Sequence, residues 1–185
     1  MMTIGHSTLS MVAFLRALKD NDVELLVDVR RFPGSRRHPH FGQEALFASL
    51  REAGLVGVWR EGLGGRRTAR KDSINTGWRE SSFRGYADYM QTEAFREEID
   101  WLTAQTKRTV VMCAEAVPWR CHRSLIADAV IARGVEVEDI MVSADGTSKR
   151  KPHRLTPFAQ VEGTRVFYPA ETAELFASTR AEEQR

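Results

Sequence analysis

Two rhythms of apolar residues alternate along the chain. "VELLVDVR" (23–30) and "RTVVMC" (108–113) are compact, β-branched and apolar on both faces, the pattern of strands buried inside a parallel sheet. "MMTIGHS" (1–7) reads as a short first strand ending near Gly5, "LVGVWRE" (55–61) as a third, and "VEVEDIM" (135–141) as a last parallel strand. Between them the period lengthens. "LSMVAFLRALKDN" places apolar residues at 9, 12, 15 and 18, with extras at 11 and 14, which is helical spacing, and Ser7 and Thr8 stand ready to cap it. "QEALFASLREAG" is a helix stopped by Gly54, "FRGYADYMQT" and "EAFREEIDWLTAQ" are two more, and "WRCHRSLIADAVIARG" (119–134) runs from just after Pro118 to Gly134.

Strands alternating with helices predict an α/β domain of three layers, with a mostly parallel central sheet and helices on both faces. Residues 31–42 are loop by their Pro and Gly content, and 62–82 form an aperiodic excursion. The expected organisation is a core over 1–141 and a C-terminal extension over 142–185 packed on it. That extension holds a polar loop (142–157), a short edge strand (164–169) and a terminal helix (170–185). Ligands of open parallel sheets bind beyond the carboxyl ends of the strands. "GHS" (5–7), "DVRR" (28–31), "LGGRR" (63–67) and "CAE…CHR" (113–123) each follow a strand, so four polar clusters are expected on one rim.

With 42% apolar residues the chain has enough material for a core, and no apolar run approaches the length of a membrane span. No basic segment leads into a long apolar one near the N-terminus, so no signal peptide is expected. Two cysteines do not make a disulfide scaffold, and a reducing cytoplasm is the plain expectation. The net charge of +2 says little, but residues 28–79 hold ten Arg and one Lys against five Asp and Glu. Such a local excess fits either a phosphate-bearing small molecule or nucleic acid, or simply a solvated arginine-rich surface.

"CAEAVPWRCHR" (113–123) concentrates the candidate chemistry. Arg120 and Arg123 suit an anion at a helix start, as do Arg30 and Arg36 from the second cluster, together with Ser7. Gly64 and Gly65 give a loop whose backbone N–H groups are able to approach a phosphate. Cys113, at a strand end near arginines, is placed for a lowered pKa and nucleophilic work; Cys121 shares a helical face with Leu125 and Ala129 and is equally read as a buried thiol. His6, Asp28, Glu115 and His122 are the acid/base candidates, since imidazole titrates near neutrality and a carboxylate ending an inner strand needs a partner. Asp28 is alternatively a structural clamp. No cysteine–histidine spacing matches a structural metal site, and neither a Walker loop nor a dinucleotide fingerprint is present. No particular cofactor is implied. Trp59, Trp78, Phe83, Tyr86 and Tyr89 lie among basic residues and are candidates for base stacking; alternatively Phe83, Tyr86 and Met90 are spaced as one buried helix face.

The motifs "TIGHS" (3–7), "DVRRFPGSRRHPHF" (28–41), "LGG" (63–65), "MCAE" (112–115) and "CHR" (121–123) together resemble a bacterial and archaeal family, domain of unknown function 488. The resemblance implies a compact cytoplasmic α/β domain and no particular reaction. His6, Asp28, Arg30, Cys113, Glu115, Cys121, His122 and Arg123 match its motif positions. A fainter likeness points to rhodaneses and cysteine phosphatases: Cys113-x6-Arg120 is one residue longer than their Cys-x5-Arg loop. The leading expectation is an anion site for a phosphate, nucleotide or nucleic acid at the strand ends. The alternatives are a thiolate enzyme of sulfur or phosphoryl transfer using Cys113, and a nucleic-acid-binding module without catalysis.

Overall fold

The computed structural model describes residues 1–34 and 37–170. Its main sheet has six strands: β1 (Met2–Gly5), β2 (Leu25–Asp28), β3 (Val56–Trp59), β4 (Thr109–Cys113), β5 (Glu138–Val142) and β6 (Ser148–Pro152). Their spatial order is β3-β2-β4-β1-β5-β6, and every pair is parallel except β5–β6. Helices α1 (Met11–Asp20) and α2 (Gln43–Glu52) cover one face, and α3 (Ser81–Tyr89), α4 (Glu93–Thr103) and α5 (Arg123–Ile131) pack on the other. The expected three-layer α/β architecture is therefore present.

The period-two geometry of a strand sorts side chains between these layers. In β4, Val110 and Met112 join Phe14, Leu18, Leu46 and Leu50 in one core, while Val111 and Cys113 join Leu125, Ile126, Ile99 and Phe95 in the other. Cys113 thus stands on the α5 side of the sheet, at the carboxyl end of a central strand.

Several boundaries differ from the sequence expectation. Ser10, not Ser7 or Thr8, caps α1, its hydroxyl accepting the Ala13 N–H at 3.2 Å. The predicted helix over 119–134 starts later: Pro118–Arg120 form one 3-10 turn, and α5 begins at Arg123. The polar stretch 142–157 contains β6, which pairs antiparallel to β5 from Glu138↔Pro152 to Val142↔Ser148. An edge strand has one unpaired side and need not be apolar, which is why "SKRKP" carried no strand signal. The strand expected over 164–169 is Arg165–Phe167 and pairs with Gln160–Glu162 in a separate two-stranded ribbon. The helix expected over 170–185 lies outside the described residues, apart from Ala170.

The segment after β5 is tied to the core by a buried polar network. His153 sits between Asp139 (Nδ1 to Oδ2, 2.8 Å) and Asp128 (Nε2 to Oδ1, 3.4 Å). Asp128, fully buried on α5, also accepts from the Tyr168 and Thr156 hydroxyls at 2.8 and 2.7 Å, and Asp139 accepts from Thr3 at 2.6 Å. Burial alone would lower the His153 pKa, but the two carboxylates outweigh it and raise it to about 9. No helix among the described residues is long and apolar enough to cross a membrane.

Candidate functional site

Parallel strands align their carboxyl ends, and the ladder carries on past them. The His6 N–H donates to the Cys113 carbonyl at 3.0 Å, the Ser7 N–H to Ala114 at 2.9 Å, and the Val29 N–H to Met112 at 3.0 Å. Segments following β1, β2 and β4 are thereby fixed side by side. A cleft of about 240 Å³ opens over them. Its floor is made by Cys113, Ala114, Glu115, Cys121 and His122, and its other wall by Arg30, Arg31, Phe32, Gly65 and Arg66.

Arg123 organises the floor. It is 1% exposed, and its guanidinium reaches back under the loop it follows. Nη1 donates to the Cys113 sulfur at 3.0 Å and to the Glu115 carbonyl, and Nη2 donates to the Ala116 carbonyl at 2.9 Å. Gly5 makes this possible: a Cβ there would stand 1.7 Å from the Glu115 oxygen and 2.8 Å from Arg123 Nη1. Both cysteines are free thiols. Burial pushes the Cys113 thiol up, but a hydrogen bond from Cys121, the charge and N–H of Arg123 and the Glu115 N–H together draw it down to about 7. For Cys121, burial comes first and the neighbouring Cys113 sulfur adds to it, so its pKa is raised well above the ordinary value.

His122 is oriented by its own contacts. Nε2 lies 3.1 Å from the Val29 carbonyl, which only accepts, so Nε2 carries the proton and Nδ1 keeps its lone pair. That lone pair faces Cys121 Sγ at 3.6 Å. Burial, foremost, lowers the His122 pKa to about 4. Gly65 lies against this ring, where a Cβ would be 2.9 Å from Nδ1. The glycine loop is held there by Tyr86 and Tyr89, whose hydroxyls donate to Leu63 and Gly62 at 2.8 Å, and by Arg67, which donates to Gly62 and Gly64.

Of the residues singled out in the sequence, Arg30, Gly65, Cys113, Glu115, Cys121 and His122 meet at the cleft. The others have different surroundings. Asp28, fully buried, grips Arg30 through two parallel contacts (Nε–Oδ1 2.9 Å, Nη2–Oδ2 2.6 Å), while Arg30 Nη1 donates to the Phe41 carbonyl at 2.7 Å. His6 stacks on Phe41 with ring centroids 4.1 Å apart, and burial, then the Arg30 charge, lowers its pKa to about 4. Ser7 takes a φ of 46° and contributes its backbone. Gly64 packs on Arg31, Arg120 is exposed on the 3-10 turn, and Arg123 is beneath the floor. Arg36 lies outside the described residues. Glu115 and His122 form no hydrogen bond with one another among the described residues; the ring is committed to Val29 and Cys121. Among the described residues no three His, Cys, Asp or Glu side chains converge as metal ligands.

Besides Ala114, three cleft residues had no place among the expected site residues: Arg31, Phe32 and Arg66. Their signal was position, since they directly follow Arg30 and Gly65 in clusters already assigned to the rim. Arg66 takes a φ of 58°, which turns the chain at the cleft mouth, and its guanidinium lies 5.6 Å from the Phe32 ring.

The family described as "Domain of unknown function DUF488" matches residues 10–130. The chain belongs to the DUF488 family. The matched span of this DUF488 domain runs from the N-cap of α1 to the penultimate residue of α5 and contains the cleft floor. No curated protein and no solved structure matches the chain.

Proposed function

We propose that the cleft is the active site of a thiolate enzyme of sulfur or phosphoryl transfer, with Cys113 as nucleophile toward a small anionic substrate. The observation that carries this reading is the Cys113 sulfur, on the cleft floor 3.0 Å from Arg123 Nη1, with its pKa drawn down to about 7. A thiol so placed is substantially ionised at neutral pH, and the thiolate is the reactive form. The guanidinium groups of Arg31 and Arg66 supply positive charge at the mouth. In the step, Cys113 Sγ bonds to the electrophilic sulfur or phosphorus as that atom's bond to its leaving group breaks. Glu115 is the carboxyl group on the cleft lining among the described residues, and the leaving group takes its proton from solvent.

A nucleic-acid-binding role without catalysis draws less support. The Arg67 guanidinium is turned onto backbone carbonyls and lies 3.7 Å from the Tyr89 ring centroid, and Arg70 is paired with Asp72 at 2.8 Å. Both are thereby withdrawn from the basic face that this role needs.

The test is alkylation of the purified protein by iodoacetamide across a pH series, with the modified residue located by peptide mass. Cys113 should react with a midpoint near pH 7 and be protected by inorganic phosphate or thiosulfate. A Cys113 that reacts only with the alkaline profile of an ordinary thiol, or without protection by either anion, refutes the proposal.

A further inference from the structure

The cleft floor carries a second sulfur. Cys121 lines the same cleft as Cys113, accepts the Arg123 N–H at 3.5 Å while the Arg123 guanidinium donates to the Cys113 sulfur at 3.0 Å, and faces the His122 Nδ1 lone pair at 3.6 Å. A phosphoryl group on Cys113 is cleared by water attacking phosphorus, and a neighbouring thiol contributes nothing to that step. A sulfur adduct is cleared differently: a second thiolate attacks the cysteine sulfur and expels the bound group as a thiolate.

We infer that Cys113 and Cys121 act as a dithiol couple, and that the substrate of this site is a small anionic compound containing an S–S bond, which the pair reduces. The inference rests on the reading of Cys113 as nucleophile. In the first step Cys113 S⁻ attacks one sulfur of R–S–S–R′. The new Cys113–S–S–R bond forms, the substrate S–S bond breaks, and R′S⁻ leaves and takes a proton from solvent. In the second step Cys121 loses its proton to solvent through the cleft, with the neutral His122 Nδ1 as hydrogen-bond acceptor beside it. Its thiolate attacks Cys113 Sγ, and RS⁻ departs. Two protein thiols have become one disulfide, and the substrate has gained two electrons and two protons. An external thiol or dithiol returns the couple to its reduced form.

The arrangement times these steps. While Cys113 is a thiolate, burial, the hydrogen bond to Cys113 and its charge keep Cys121 protonated. Once Cys113 carries an adduct, that charge and acceptor are gone, whereas the Arg123 charge and N–H still favour a Cys121 thiolate. The first reaction therefore arms the second thiol. Both sulfurs line one cleft and contact the same arginine, and closing them to the ~2.05 Å of a disulfide joins two groups on one floor.

Tetrathionate, a small anionic S–S compound, is the probe, with thiosulfate release and intact protein mass as readouts. The wild-type protein should release two thiosulfates per chain, lose the mass of two hydrogens and retain no adduct. Cys121→Ser and Cys121→Ala should each release one thiosulfate and keep a sulfur adduct on Cys113, with circular dichroism confirming that they fold. Cys113→Ser should release none. A wild-type protein that keeps a stable adduct on Cys113 overturns the couple but leaves Cys113 as nucleophile. Absence of thiosulfate release from the wild type and both Cys121 variants overturns both.

Discussion

Replacing Arg123 by methionine should change the pH dependence of Cys113, and the size of the change follows from the geometry. Arg123 contributes two of the influences that lower the Cys113 pKa, its charge and its 3.0 Å hydrogen bond, and it also holds the Glu115 segment whose N–H contributes another. Without them the thiol should return from about 7 to its ordinary value of 9.0 or beyond, a change of about 3 kcal/mol. At pH 7 the thiolate population then falls from about half to about one in a hundred, roughly 50-fold. The more basic thiolate is intrinsically a better nucleophile, by about eightfold for a rise of that size. The alkylation rate at pH 7 should therefore fall only about sixfold, while in alkaline solution the variant should overtake the wild type. Iodoacetamide kinetics over a pH series measure both arms. A loop merely loosened by the substitution would speed alkylation at every pH. A variant whose profile keeps the wild-type midpoint would show that Arg123 does not set the state of this thiol.

Gly5→Ala should act on the same thiol from the opposite strand, because its Cβ would displace the Glu115 carbonyl and Arg123; the Cys113 alkylation midpoint should move upward, with a loss of about 1–3 kcal/mol in urea unfolding from overpacking. Asp28→Asn leaves Arg30 buried without its counter-charge and should cost about 3–5 kcal/mol by the same measurement. Between pH 6.5 and 9 two groups should act on stability in opposite directions, because the depressed Cys113 pKa adds stability as pH rises from about 7 toward 9. On the alkaline side, the folded protein holds the His153 proton more tightly than the unfolded chain, so its stabilisation is complete below pH 6.5 and is lost toward pH 9, by about 3 kcal/mol in all. On the acid side, His6 and His122 are held neutral in the fold, so each disfavours folding as pH drops from 6.5 toward 4, by up to about 3 kcal/mol apiece. His153→Gln should make urea midpoints between pH 6.5 and 9 rise relative to the wild-type profile, with the Cys113 contribution left unopposed, and leave the acid limb; an unchanged profile over that window would remove His153 as a contributor.

Much of the fold was legible because burial imposes period. β2 and β4 are apolar on both faces since helices cover both, and α1 shows one apolar stripe since one side meets the sheet. The shared rim followed from strand direction alone. What escaped was set by partners distant in sequence. β6 exists because β5 offers it an edge, not because "SKRKP" favours a strand. Arg123 looks like a helix-start cation open to an anion, and only the Gly5 crossing shows it turned inward beneath the loop. Asp128, Asp139 and His153 each resemble ordinary polar residues, and their network needs α5, β5 and the segment after β6 in place together. Cys121 has the spacing of a core thiol and the position of a functional one, and the structure shows both at once.

The strand order has a consequence for how the reactive thiol comes into being. β4 lies between β1 and β2, so the first two strands of the chain are not neighbours and leave a gap for a segment made some eighty residues later. Contacts across such separations form late and slowly. The nascent protein should therefore carry an ordinary cysteine until β4 is inserted and Arg123 packs against it. Its acidity belongs to the assembled sheet and not to the local sequence.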